Sequence, residues 1–195
     1  MTITKAAPQQ LLTFEQYLDY EPDDDRLYEL VDGALVPMTP VSPEHSDIVD
    51  FLYRCFLREI ERLGHDWRVK QLGVGVRTRA TRARLPDLCV IDGADWRQLK
   101  QQQAKSAVLQ VPLLMAVEVV SPGKRNRKRD YEEKRQEYQQ RGIGEYWIID
   151  AAAAKLTQLL LSGGVYQEKV FSSGDTIRPQ LFPDLSLTVD QILAG

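Results

Sequence analysis

Apolar residues recur at three- and four-residue steps in one long stretch of the chain: Ile48, Leu52, Cys55, Phe56, Ile60 and Leu63. That spacing lines one face of an α-helix. Ser42-Pro43 supplies a cap and a first-turn proline, and Gly64 is placed to end the segment, so a helix is predicted from Ser42 to Leu63. Much of the rest patterns as strand. Leu27 to Val31 and Ala34 to Val36 flank Asp32-Gly33, the dipeptide favoured in two-residue hairpin turns. Trp67 to Val76 alternates late in its course, Leu85 to Ile91 is more fully apolar, as in a strand covered on both faces, and Leu113 to Val120 returns to strand.

Good helix formers fill Arg127 to Arg141 up to Gly142, and the β-rich Glu145 to Asp150 follows at once, giving a strand, helix, strand crossover. Leu156 to Leu161 and Val165 to Phe171 form two further runs joined by Ser162-Gly163-Gly164, before a closing segment from Leu185 to Leu193. Thr13 caps a short helix through Tyr20, and Glu21 to Asp25 is an acidic, proline-bearing loop. Trp96 to Ala107 is glutamine-rich and reads as a surface helix with a loop, while the stretch between Val76 and Leu85 reads as a basic connector. The expected fold is α/β, a mixed β-sheet flanked by helices, with an N-terminal β-hairpin and extra C-terminal strands.

A chain of 195 residues, 43% hydrophobic, suits one domain with a real core, here 1–195 with 1–12 as a poorly ordered tail. No apolar stretch approaches the ~18 residues that suggest a membrane span, and Met1 to Gln10 lacks a signal-peptide core, so a cytoplasmic protein is expected. Cys55 and Cys89 lack the paired spacing of a zinc or redox motif and read as buried thiols. The net charge of −3 does not advertise nucleic-acid binding, so any such surface must be local.

Candidate chemistry lies in three pieces: Leu85-Pro86-Asp87, Val117 to Pro122 with Glu118 at its centre, and Asp130 to Lys134. A carboxylate beside or within an apolar run is costly to bury without a cation or strong donor. Asp130, Lys134 and Tyr138 stand four residues apart on one helical stripe, so the inward side of this helix is expected to rest on Tyr131 and Tyr138 with Lys134 between them.

These pieces, with Tyr28-Glu29-Leu30-Val31-Asp32-Gly33, Ser42-Pro43 and His45, and Gly144-Glu145-Tyr146-Trp147 with Asp150, resemble the PD-(D/E)XK nucleases and, within them, the restriction-endonuclease-like Uma-two family. The resemblance runs from about Phe14 to the C-terminus. It implies a restriction-endonuclease-like core in which Asp87 and Glu118 ligate Mg²⁺ or Mn²⁺, with a lysine aiding the attacking water. The position two after Glu118 is Val120 rather than lysine, and the resemblance assigns that role to Lys134 on the following helix. The Val119 backbone carbonyl is a further expected ligand, Glu29 a water-mediated one, and His45, Asp130 and Tyr138 are supporting residues.

Two basic clusters flank these pieces: Arg77, Arg79, Arg82 and Arg84 before Pro86-Asp87, and Lys124, Arg125 and Arg127 after Glu118. Their positions are those of a phosphate-binding rim on an otherwise acidic protein. The expected activity is metal-dependent cleavage of phosphodiester bonds in DNA, by a homodimer that sets two sites across a duplex. The alternatives are a catalytically silent nucleic-acid-binding or scaffold module of the same fold, and an enzyme acting on RNA or a branched junction.

Overall fold

The computed structural model describes residues 11–24, 26–102 and 104–195. In the expected N-terminal tail, residues 1–10 lie outside the described residues, whereas Leu12 is tied down, its N–H donating to the Gly33 carbonyl at 2.8 Å. Helix α1 (Phe14–Leu18) starts at a capping box: Gln16 N–H donates to the Thr13 hydroxyl, and the Gln16 side chain accepts from Thr13 N–H. Strands β1 (Tyr28–Val31) and β2 (Ala34–Pro37) meet at Asp32-Gly33, where φ is 51° and 83°, the double positive turn that the dipeptide permits. Helix α2 (Pro43–Leu63) is capped by the Ser42 hydroxyl and ends on left-handed Gly64.

Strands β3 (Trp67–Gln71), β4 (Gly75–Arg79), β5 (Arg82–Arg84) and β6 (Leu88–Asp92) follow, then helix α3 (Gly93–Gln101) and strands β7 (Val108–Leu109) and β8 (Met115–Val119). The crossover consists of α4 (Lys124–Lys128), a π-helical segment Arg129–Lys134 and α5 (Arg135–Arg141), leading to β9 (Glu145–Asp150). The hairpin β10 (Lys155–Ser162) and β11 (Val165–Ser172), short strands β12 (Thr176–Ile177) and β13 (Leu187–Thr188), and helix α6 (Val189–Ala194) complete the order.

Six strands form one mixed sheet, β11-β10-β9-β8-β6-β3, in which only β8 and β9 run parallel. A five-stranded sheet, β2-β1-β5-β4-β7, carries the N-terminal hairpin. Side chains of the larger sheet alternate strictly between two cores. Leu88, Val90, Met115, Val117, Val119, Trp147 and Ile149 pack with Leu52 and Phe56 of α2. Cys89, Ile91, Ala116, Tyr146 and Ile148 pack on the opposite face with Tyr138 of α5 and Val76 of β4. Glu118, between Val117 and Val119, therefore points to the α5 face, and by the same parity Asp87 precedes Leu88 on that side.

Two expectations change. The predicted strand Trp67 to Val76 is two strands in different sheets, divided at Leu72-Gly73, where both residues take positive φ. The predicted basic connector is the β4–β5 antiparallel pair itself, with Arg77 opposite Ala83 and Arg79 opposite Arg82. Arg82 and Arg84 alternate about buried Ala83 and so share one face of β5. No helix among the described residues is long and apolar enough to cross a membrane.

Candidate active site

Asp87, Glu118, Lys134, Glu29, His45 and Arg84 line one cavity of about 390 Å³, together with Arg125, Asn126 and Arg129. They come from five stretches of the chain: β1, the start of α2, β5 and its connection to β6, β8 and the crossover helix. Asp87 lies just before β6, one residue short of the expected strand position. Its Oδ2 accepts the Val119 N–H at 2.8 Å, and its Oδ1 lies 3.2 Å from Nε2 of His45 in the first turn of α2. In an extended strand the N–H and C=O of one residue point to the same edge. The Val120 N–H is turned toward β9, so the Val119 carbonyl faces the Asp87 side.

Glu118 is 2% exposed and accepts two bonds on one oxygen: Lys134 Nζ donates to Oε1 at 2.7 Å and the Tyr138 hydroxyl at 2.8 Å. Its Oε2 has no hydrogen-bond partner among the described residues. Burial pushes the Glu118 carboxyl up to about 8; Lys134 opposes that rise, while the Asp87 charge adds to it. Lys134 also lies 3.0 Å from Glu29 Oε1. Burial disfavours its charge, but Glu118 and Glu29 outweigh that cost and hold the ammonium above its ordinary range.

Behind Lys134 stands a second set of charges. Arg84, 2% exposed, donates to Glu29 Oε2 at 2.8 Å and to both oxygens of Glu137 at 2.7 and 2.9 Å. The Leu85 N–H donates to Glu29 Oε1, and the Thr78 hydroxyl and Arg82 donate to Glu137. Burial favours the neutral acid at Glu29, yet Lys134 and Arg84 hold its carboxyl down at about 2. Asp130, fully buried, takes a fork from Arg129 at 2.8 and 3.2 Å, and its carbonyl accepts the Tyr146 hydroxyl.

Thus Asp87, Glu118, Lys134, His45 and Tyr138 come together as expected, with Asp130 one contact further back. Glu29 lines the cavity with both oxygens engaged by Lys134, Arg84 and Leu85, so the role its contacts show is that of a counterion of the lysine. Other expectations are corrected. Arg84 is no part of a solvent-facing rim but the buried brace of that counterion, and Arg82 spans Glu137 and the turn residue Asp32. Arg77 and Arg79 line a separate cleft. Of the second basic run, only Arg125 reaches the cavity; Lys124 and Arg127 border a different depression, where Arg127 pairs with Asp150. Tyr131 is half-buried there, its hydroxyl donating to Asp150 at 3.4 Å, so Tyr138 alone flanks Lys134.

Glu137 was not singled out from the sequence. The signal was present: it follows Lys134 by three residues on the same helix, and Arg82-Ala83-Arg84 has the period of a strand that presents both guanidinium groups to one side. The π-helical segment Arg129–Lys134 had no sequence signal. Such widened turns occur frequently at functional sites, and here Asp130, Lys134, Glu137 and Tyr138 all face inward.

No group of three or more His, Cys, Asp and Glu side chains among the described residues forms a ready-made metal cage. Mg²⁺ asks for less than that, since it keeps several waters and takes one or two carboxylates from the protein. The donor set fits such an ion. Asp87 and Glu118 offer hard oxygens on one cavity, the Val119 carbonyl faces the same edge, and Glu118 Oε2 is unpartnered. Five acids, Glu29, Asp87, Glu118, Asp130 and Glu137, are buried here, and the cations in contact with them are Arg82, Arg84, Arg129 and Lys134, with His45 beside Asp87; the cations gather on Glu29, Glu137 and Asp130, away from Asp87 and the open oxygen of Glu118.

A protein from Anabaena variabilis, described as "a putative nuclease belonging to DUF820", has a solved structure that superposes with a TM-score of 0.74 at 13% identity, covering 94% of this chain and 98% of that one. At that identity the likeness establishes the fold. No curated protein matches the chain. The profile of the family named Uma2, described as "Putative restriction endonuclease", matches residues 14–190. With nearly the whole folded chain inside that match, the protein belongs to the Uma2 family of restriction-endonuclease-like nucleases.

Proposed function

We propose that the protein is a divalent-metal-dependent endonuclease that hydrolyses phosphodiester bonds of DNA, acting as one nuclease domain. The observation that carries this reading is the convergence of Asp87, Glu118 and Lys134 on one cavity, with Glu118 held at 2.7 Å from the lysine and open on its second oxygen. Asp87, Glu118 and the Val119 carbonyl would hold Mg²⁺ or Mn²⁺. Bound there, the ion supplies Lewis-acid polarisation of the phosphodiester and a water acidified for attack.

The chain's own residues do the rest. Lys134, kept cationic by two carboxylates, orients the attacking water and offsets charge that develops on the phosphoryl oxygens. Glu118 and Glu29 hold it protonated against the cost of burial, which suits this electrostatic role. His45 and the Val119 N–H fix the Asp87 carboxylate from two sides, and Tyr138 fixes Glu118. Arg125, exposed at the cavity mouth, meets the phosphate backbone. The antiparallel strands of a duplex suit a two-fold homodimer, and the free cysteines suit a cytoplasmic setting.

Plasmid incubated with Mg²⁺ or Mn²⁺ is expected to be cut by the parent, and Asp87→Asn or Glu118→Gln to reduce cleavage on the order of a thousandfold. Lys134→Met is expected to reduce it about a hundredfold. Metal should raise the melting temperature of the parent and not of the Asp87→Asn, Glu118→Gln double variant. A parent that neither cuts DNA nor responds to metal would overturn the reading and favour a silent nuclease-fold module. Cleavage of RNA or junctions in preference to duplex would overturn only the substrate.

A further inference from the structure

Arg77, Arg79 and Arg141 line a cleft of about 320 Å³, with Thr78, Ala80 and Gln110, on the outer side of the seam between β4 and α5. It shares no lining residue with the catalytic cavity. Two of its three arginines have no carboxylate partner among the described residues. Arg79 donates to the Gln140 side chain at 2.7 Å. Arg77 lies over the Phe14 ring at 4.1 Å, donates to the Ala80 carbonyl and Gln110, and has only exposed Glu15 at 3.9 Å.

Arg141 is the telling member. Its Nε is buried without a hydrogen-bond partner, and no described residue accepts from its guanidinium. Buried donors in folded proteins nearly always find an acceptor, and the Nε of this half-buried arginine has none among the described residues, while the rest of its fork of donors opens on the cleft. Burial and the neighbouring Arg77 charge both press Arg141 below its ordinary proton affinity, so the protein tolerates two adjacent cations without paying either one back. The planar fork matches the oxygens of a phosphate or phosphodiester.

We infer that this cleft is a second anion site, in which Arg79 and Arg141, backed by Arg77, bind a phosphate group. The seam joins the two sites mechanically. Thr78, between Arg77 and Arg79 on β4, donates to Glu137 on α5, four residues before Arg141, and Glu137 is the partner of Arg84 behind Lys134. The site stands independently of the proposed cleavage reaction. The bound group is either a phosphate of a nucleic acid laid across the seam or a separate small phosphate.

Thermal unfolding of the full chain with added inorganic phosphate, at an ionic strength held constant with chloride, tests it. The parent and the Asp87→Asn, Glu118→Gln double variant are both expected to gain stability saturably. The Arg79→Gln, Arg141→Gln variant is expected to bind phosphate on the order of tenfold more weakly. Arg141→Lys keeps the charge without the fork and is expected to fall between, which guards against a variant that merely misfolds. Fluorescence anisotropy with a labelled oligonucleotide then separates the sources. If phosphate competes with the oligonucleotide and the arginine variant weakens its binding, the group belongs to nucleic acid; if oligonucleotide affinity is unchanged while the phosphate effect is lost, the ligand is a separate small anion. An equal phosphate response in parent and arginine variant overturns the site.

Discussion

Glu29 and Glu118 touch the same lysine from buried positions, yet they end in opposite electrostatic states. Glu29 has a second cation in Arg84 and a backbone donor at Leu85, and its carboxyl is held down at about 2. Glu118 has Lys134 and Tyr138 on one oxygen, no partner among the described residues on the other and Asp87 nearby, and burial pushes its carboxyl up to about 8. The back of the site is a closed network that stabilises the fold; the front is left short of positive charge. Removing one partner from a fully paired buried acid is costly, and a buried acid left short of donors is a candidate ligand position.

The strongest way to break this contrast is at the brace. Arg84→Met leaves Glu29 and Glu137 buried without their guanidinium and is expected to cost about 3–5 kcal/mol. In a chain of this size that lowers the melting temperature on the order of 10 °C, measurable by calorimetry or circular dichroism.

Next in size is the difference between the two glutamates. Glu29 titrates near 4.5 when unfolded and about 2 when folded, so its contribution is present above pH 4.5 and lost as pH falls toward 2. The gap corresponds to about 3 kcal/mol. Urea denaturation of the parent and Glu29→Gln at pH 7 and pH 3 should show the parent's advantage shrinking at the lower pH. In the metal-free protein, Glu118→Gln is expected to change stability at pH 7 by less than about 1 kcal/mol, because a carboxyl pushed up to about 8 is largely neutral at that pH and glutamine is a neutral side chain of the same shape. Equal losses from the two substitutions would erase the distinction.

The smallest effect is expected at His45. His45→Gln removes one of two groups that fix Asp87, and cleavage is expected to fall about tenfold with the melting temperature nearly unchanged.

How much of this was legible in the sequence depended on whether a residue's neighbours were near it in the chain. Capped α2, the Asp32-Gly33 hairpin and β9 followed from local signals, Asp87 and Glu118 stood out as carboxylates beside or within apolar runs, and Lys134 followed from the family resemblance. The fate of the four arginines from Arg77 to Arg84 was not legible. Whether an arginine on a short strand faces a buried acid or a solvent cleft depends on which sheet the strand joins, and the break at Leu72-Gly73 was hidden inside a run that reads as continuous strand. Glu137 and Arg84 identify each other only once β5 and α5 are packed together.

The contacts that close the site have graded reach along the chain: Lys134 to Glu118 spans 16 residues, Val119 to Asp87 spans 32, and Arg84 to Glu29 spans 55. Short loops close at lower entropic cost than long ones. On loop-closure grounds alone, the lysine's contact with Glu118 is therefore the cheapest of the three to form and the Arg84–Glu29 brace behind it the most costly, so the brace depends most on the rest of the fold being in place.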